Sequence, residues 1–166
     1  MFSVGEYVVH RSNGICKVTK VAPLPAEMGG DEKRYYFLTP LNARGEVFTP
    51  AEEDNANIRK VMTKKEALKL IDEVPFIEDT PIDNDKQREA HYKEAIRSND
   101  CKELVKIIKT LYNRRMARFA VGKKSTASED RYFKQAEDNL YSELAFAIGK
   151  DRENVKELFV KKAQMA

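Results

Sequence analysis

The stretch Val4-Gly-Glu-Tyr-Val-Val-His-Arg-Ser-Asn-Gly-Ile-Cys-Lys-Val-Thr-Lys-Val21 decides how the front of this chain is read. Two runs of alternating apolar and polar residues flank Asn13-Gly14, and alternation with period two marks a half-buried strand. Asn and Gly both accept the positive φ of a two-residue type I′ turn, so a hairpin is expected almost from the first residue. The implied register sets Ser12 opposite Ile15, Arg11 opposite Cys16, His10 opposite Lys17 and Val9 opposite Val18.

Two more strands are expected beyond it. Arg34-Tyr-Tyr-Phe-Leu-Thr39 is rich in aromatics, and Gly45-Glu-Val-Phe-Thr49 ends at Pro50, with Asn42-Ala-Arg-Gly45 as the turn between them. The segment from Ala22 to Asp31 holds two prolines and two glycines and reads as a loop. Four or five short strands in about fifty residues make a small, bent barrel of the Tudor or SH3-like kind. Tyr36 faces away from Tyr35 and Phe37, and Phe37 is expected in the core. An open barrel leaves strand edges that can accept a partner's strand.

From about residue 63 the pattern changes to helix. Thr63-Lys-Lys-Glu66, Asp100-Cys-Lys-Glu103 and Thr126-Ala-Ser-Glu129 each set a capping side chain three residues before a Glu, and Asp151 follows Gly149 as a fourth start. Helices are expected at about 64–74, 84–98, 101–120, 127–148 and 152–163. Apolar stripes run through Leu104, Ile108, Leu111, Tyr112 and Phe119, through Phe133, Ala136, Leu140, Leu144 and Ile148, and through Val155, Leu158 and Phe159. The fold class is therefore α+β in two domains, a β-barrel over 1–55 and a bundle of about five helices over 56–166.

Composition narrows the functions. Apolar residues make up 42% of the 166, enough for a core, and no run approaches the ~20 apolar residues of a membrane helix. No signal peptide is expected, and Cys16 and Cys101 lack metal-ligand spacing, which suits a reducing cytoplasm. Residues 1–82 carry 11 Lys/Arg and 13 Asp/Glu, a net −2, whereas residues 83–166 carry 19 and 14, a net +5. Between Lys102 and Lys124 eight basic residues face the single acid Glu103, so the second half is the one suited to a polyanion.

No catalytic constellation is visible. His10 and His91 have no Cys or Ser at a motif spacing, and the hairpin register turns His10 away from Cys16. Gly29-Gly30 lacks a phosphate-cradling pattern, and most carboxylates sit at helix starts. On a helical wheel Lys102, Lys106 and Lys109 line one exposed edge and read equally well as a solvated face. Arg114, Arg118, Lys123 and Lys124 converge near one loop and the N-terminus of the next helix, which makes them the better phosphate contacts. Arg115 falls within the apolar stripe and is expected to snorkel over a neighbouring helix. Nothing in the set promises base reading, so any contact with a polyanion should be salt-sensitive and mostly indifferent to sequence.

Phe2-Ser-Val-Gly-Glu-Tyr-Val-Val-His, Gly14 with Val18, Tyr35-Tyr36-Phe37-Leu38 and Thr49-Pro50 resemble the opening module of the CarD/CdnL family of bacterial transcription regulators, a module shared with transcription-repair coupling factors. Ile96 to Arg114 resembles the family's third helix and its approach, and Ser142-Glu-Leu-Ala145 resembles part of its long following helix. The resemblance implies a non-enzymatic, cofactor-free protein of the cytoplasm and nucleoid. Its β-module would add a strand edge to the RNA polymerase β subunit, with Leu24, Tyr36, Val47 and Phe48 as contacts. Its helical domain would touch promoter DNA weakly at the upstream edge of the bubble through Arg88, Arg114, Arg118, Lys123 and Lys124, altering open-complex stability. Two departures stand out. Asp85, followed by Lys86-Gln-Arg88, stands where better-known members carry a wedging tryptophan, and Leu24 and Phe48 stand where they carry arginines. Two rival readings remain at this level: a protein–protein adaptor that binds no DNA, favoured by the acids at 83, 85 and 89, and an RNA- or ribosome-binding barrel protein.

Overall fold

The computed structural model describes residues 1–165 and divides into two compact units, Met1–Val61 and Met62 onward. In the first, five strands run β1 (Tyr7–His10), β2 (Gly14–Pro23), β3 (Arg34–Pro40), β4 (Val47–Pro50) and β5 (Ile58–Lys60). All pairings are antiparallel and the spatial order is β4-β3-β2-β1-β5, a curled sheet that forms half a barrel. A bulge at Thr19 shifts the β2–β3 register between Val18 and Lys20, and the Thr19 hydroxyl donates to the Phe37 carbonyl at 3.1 Å. Such an inserted residue raises the local twist and bends the long strand β2. Because β5 pairs with β1, the β-unit runs past the boundary expected at residue 55.

The hairpin register differs from the expected one. Val9 pairs with Ile15, Val8 with Cys16 and His10 with Gly14, which leaves a three-residue turn over 11–13. Gly14, not Asn13, takes the left-handed conformation, at φ 68. The reason is burial. Val8, Cys16 and Val18 are fully buried together, whereas the two-residue turn would have faced Arg11 into that core beside Cys16. His10 consequently shares the face of Cys16, although no group of three or more metal-binding side chains assembles among the described residues.

The β core is Val8, Cys16, Val18, Tyr36, Leu38 and Ile58. Tyr36, expected at the surface, is the largest side chain in it, and its hydroxyl accepts the Phe2 N–H at 3.0 Å. Phe37 is buried as expected, but alternation sets it on the opposite face, edge-on to Phe48 with ring centroids 4.9 Å apart.

The second unit holds α1 (Lys64–Glu73), α2 (Asp85–Arg97), α3 (Cys101–Ala120), α4 (Ala127–Ile148) and α5 (Arg152–Ala163). Each start is capped by the side chain its sequence provides. Thr63 and Glu66 form a reciprocal capping box, Asn84 caps α2, Asp100 caps α3, and Thr126 and Asp151 cap α4 and α5. Gly149 ends α4 in the left-handed conformation at φ 77. The α4 stripe of Phe133, Ala136, Leu140, Leu144 and Ile148 is buried throughout. In α3 burial stops at Leu111, and Phe119 is 73% exposed, contrary to the stripe drawn through it. No helix among the described residues is long and apolar enough to cross a membrane.

Candidate strand edge and nucleic-acid interface

β4 ends the sheet on one side. The Ala51 N–H donates to the Arg34 carbonyl at 3.0 Å, which fixes the alternation of the ladder, so Thr49 and Val47 bond toward β3 while the N–H and C=O of Phe48 point outward. Pro50 falls where its missing N–H would also have pointed outward, a position an edge strand tolerates. Its carbonyl is already held by Asn55 Nδ2 at 2.6 Å. The open part of this edge is therefore centred on Phe48, whose half-buried ring meets Phe37 edge-on while Lys20 lies over the Phe37 ring at 5.1 Å.

Of the four residues expected on this surface, the structure separates two from two. Tyr36 is 1% exposed, and Val47 packs against the β core, so neither side chain is offered to a partner. Phe48 and Leu24 are half-buried and lie outside that core, Leu24 just beyond the end of β2. Its loop is tight: a 3₁₀ turn at Ala26–Met28 brings the chain back so that a Cβ on Gly30 would fall 1.9 Å from the Leu24 carbonyl oxygen.

The basic residues sort in a similar way. Arg88 is buried in α2 and donates to the carbonyls of Ile82 and Asp83 at 2.9 and 2.8 Å while pairing with Asp85. It holds the connector ahead of α2, and its guanidinium is turned inward rather than offered to a phosphate. Asp85 occupies the first turn of that helix, where a carboxylate suits the dipole. The expected lysine edge is also engaged: Lys102 pairs with Glu73, Lys106 with Glu103, and Lys109 donates to the carbonyls of Val74 and Ile77.

At the α3–α4 turn Arg114 pairs with Glu129 at 2.5 Å and Arg115 with Asp130 at 3.0 Å. The positive end of α4, expected to favour phosphate, thus already carries two acids and their arginines. Hydrogen bonding from Ser125, then from Arg115, lowers the Asp130 pKa. Arg115 lies over the Phe133 ring at 4.4 Å, the snorkelling its place in the stripe implied. Arg118 donates to the Lys124 carbonyl at 3.0 Å, and the Lys123 N–H donates to the Arg118 carbonyl at 2.9 Å across the left-handed Gly122. Arg118 therefore folds the loop, and Lys123 and Lys124 stand exposed on it with no ion pair among the described residues.

Beside them lies a feature that the residues alone did not disclose. Met116, Phe119 and Val121 are exposed at 46%, 73% and 70%. A signal was present: Arg115 and Arg118 enter the stripe one and two turns after Leu111, which marks where the buried face ends.

An outward-facing strand edge on one unit and a mixed basic and apolar turn on the other define a class, the two-domain α+β proteins in which a curled β-unit precedes a helical bundle. A family model described as the CarD-like/TRCF RID domain matches residues 2–62, and one described as the CarD C-terminal domain matches residues 66–160. The chain belongs to the CarD family, whose members are non-catalytic transcription regulators, and its first module is of the RNA polymerase-interacting kind. No curated protein matches it.

Proposed function

We propose that this protein docks on the β subunit of RNA polymerase through β4 and lays the α3–α4 turn against promoter DNA at the upstream edge of the bubble, altering open-complex stability. The observation that carries the reading is the open edge at Phe48, whose main-chain N–H and C=O point away from β3. A partner strand added there gains main-chain hydrogen bonds, with Phe48 and Leu24 as apolar contacts at its side. Arg118, Lys123 and Lys124 supply charge for phosphate, and Phe119 supplies an apolar surface beside it. Asp85 makes a wedge at its own position untenable, because a carboxylate repels the backbone it would have to enter.

Pull-down with purified polymerase tests the docking. Phe48→Pro removes the outward N–H without touching a β3 bond and should abolish retention; retention undiminished would sink the proposal. Lys123→Ala with Lys124→Ala should weaken DNA binding, lower the salt slope by about 2, and leave polymerase binding intact. A second reading, an adaptor whose helices bind protein only, draws on the ion pairs that neutralise Arg114 and Arg115. Absence of DNA binding by the full chain even at low salt would favour it. A promoter-opening assay with and without the protein reads the sign of regulation.

A further inference from the structure

Two exposed rings flank one side of α3. Phe76 is 83% exposed at the end of a 3₁₀ turn, Val74–Phe76, and Lys109 of α3 fixes that turn by donating to the Val74 and Ile77 carbonyls. Met116 follows Lys109 by two helical turns and so returns to the same side, and Phe119 comes within the next turn. From Lys109 to Phe119 the helix rises roughly 15 Å, which sets the spacing of the two ends. Their charges are opposite. Glu78 stands exposed just beyond Phe76 with no ion pair among the described residues, and beside it Asp79 accepts from Asn113 at 2.9 Å. At the other end Lys123 and Lys124 stand exposed next to Phe119 and Val121. A cleft of about 420 Å³ opens beside the Phe76 turn, with Pro75, Ile77, Tyr112 and Met165 as apolar lining and Glu78 and Asp79 at its side. Lys109 and Asn113 also line it, and both are already hydrogen-bonded. Pockets of roughly 300–1,000 Å³ take whole small molecules, so one benzyl side chain fits.

We propose that a second copy of this chain covers this side of α3, its Phe119 in the cleft beside Phe76 and its Lys123 and Lys124 against Glu78 and Asp79, with the reverse contact made across a two-fold axis. The charge pattern selects that partner. A surface with a ring and acids at one end, and a ring and cations at the other, is complementary to itself after half a turn. A uniformly acidic or basic partner would set like charge against one of the ends. Because the contact is the same in both directions it closes on itself, and association stops at two chains. The dimer covers the turn proposed above for DNA, so self-association and DNA contact exclude one another. The proposal does not rest on that reading, since no nucleic acid takes part in the contact.

Sedimentation of the full chain over a wide range of concentration, at low and high salt, reads the assembly. Phe76→Ser and Phe119→Ser each change an exposed ring and should leave the melting temperature unaltered. Each contact pairs Phe76 of one copy with Phe119 of the other, so either variant alone loses a ring from both contacts. Mixing the two variants rebuilds one complete contact. We expect a monomer–dimer equilibrium that weakens with salt, a Kd raised roughly tenfold or more in each variant alone, and tighter association in the mixture than in either component. Monomer at every concentration overturns the proposal. A dimer that either substitution leaves intact overturns it too, because its interface then lies elsewhere. So do species larger than a dimer, which mark a head-to-tail contact, and a mixture no tighter than its components.

Discussion

Glu143 is 2% exposed, yet its carboxylate accepts the Met62 N–H at 2.9 Å and the Cys101 thiol at 3.2 Å. One side chain of α4 thereby ties the start of the helical unit to the first residue of α3. Replacing it by Ala leaves the half-buried Met62 N–H without this acceptor and opens a void, so Glu143→Ala should lower unfolding stability by about 2–3 kcal/mol in urea titrations. Glu143→Gln keeps an acceptor oxygen and should cost less. Its place three residues after Leu140 put it on the apolar stripe, a signal that a wheel drawn for apolar residues passes over. His10 makes a second case. Its Nδ1 accepts the Ser12 N–H at 3.2 Å and lies 3.0 Å from Asn13 Nδ2, and burial, then Arg11, lowers its pKa from 6.5. The unfolded chain therefore takes up the proton first. This contribution to stability is present above about pH 6.5 and is lost as pH falls through the lower folded-state value. The urea midpoint of the β-unit should drop on acidification from about pH 7.5 to about 5.5, and His10→Asn, whose acceptor does not titrate, should flatten that step.

At the scale of elements, the loop after β2 and the turn after α3 depend on different kinds of restraint. Gly30 is required by close approach, since any Cβ there collides with the Leu24 and Pro25 carbonyls. Gly30→Ala must displace that loop, and Leu24 with it, at about 1–3 kcal/mol, read as a lowered melting temperature and new amide shifts over residues 24–30. The α3–α4 turn is held by side chains. Glu129 is only 12% exposed at its side chain, so removing Arg114 strands a mostly buried carboxylate. Arg114→Ala should accordingly lose stability as well as DNA affinity, whereas Lys123→Ala and Lys124→Ala should lose affinity alone, which thermal melts beside salt titrations will separate. Helix boundaries were legible to within a residue or two because caps and apolar spacing are local. The hairpin register was not, because it is set by which residues meet across the sheet.

The whole molecule is built on two cores, one of six buried residues around Tyr36 and Leu38 and a larger one around Val105, Ile107 and Leu144. A small core has little to lose. Leu38→Ala, which removes a fully buried side chain, should cost about 2–5 kcal/mol and raise hydrogen exchange across β1–β5 before it does so in α3 and α4. The division also suits the proposed role. Weak contacts between Lys123, Lys124 and phosphate become effective when the other unit is anchored, because tethering raises the local concentration of DNA.

The α+β class, the five helices, the caps at Thr63, Asp100, Thr126 and Asp151, and the family can all be read from the chain as a line of residues. All of these rest on residue spacing and short-range hydrogen bonds, which a linear text records. It took the fold to bring Tyr36 into the core, Arg88 and Lys109 onto carbonyls, Arg114 into an ion pair and Phe119 into water. A charge or an aromatic ring acquires its role from what lies across from it, and those neighbours are distant in the chain.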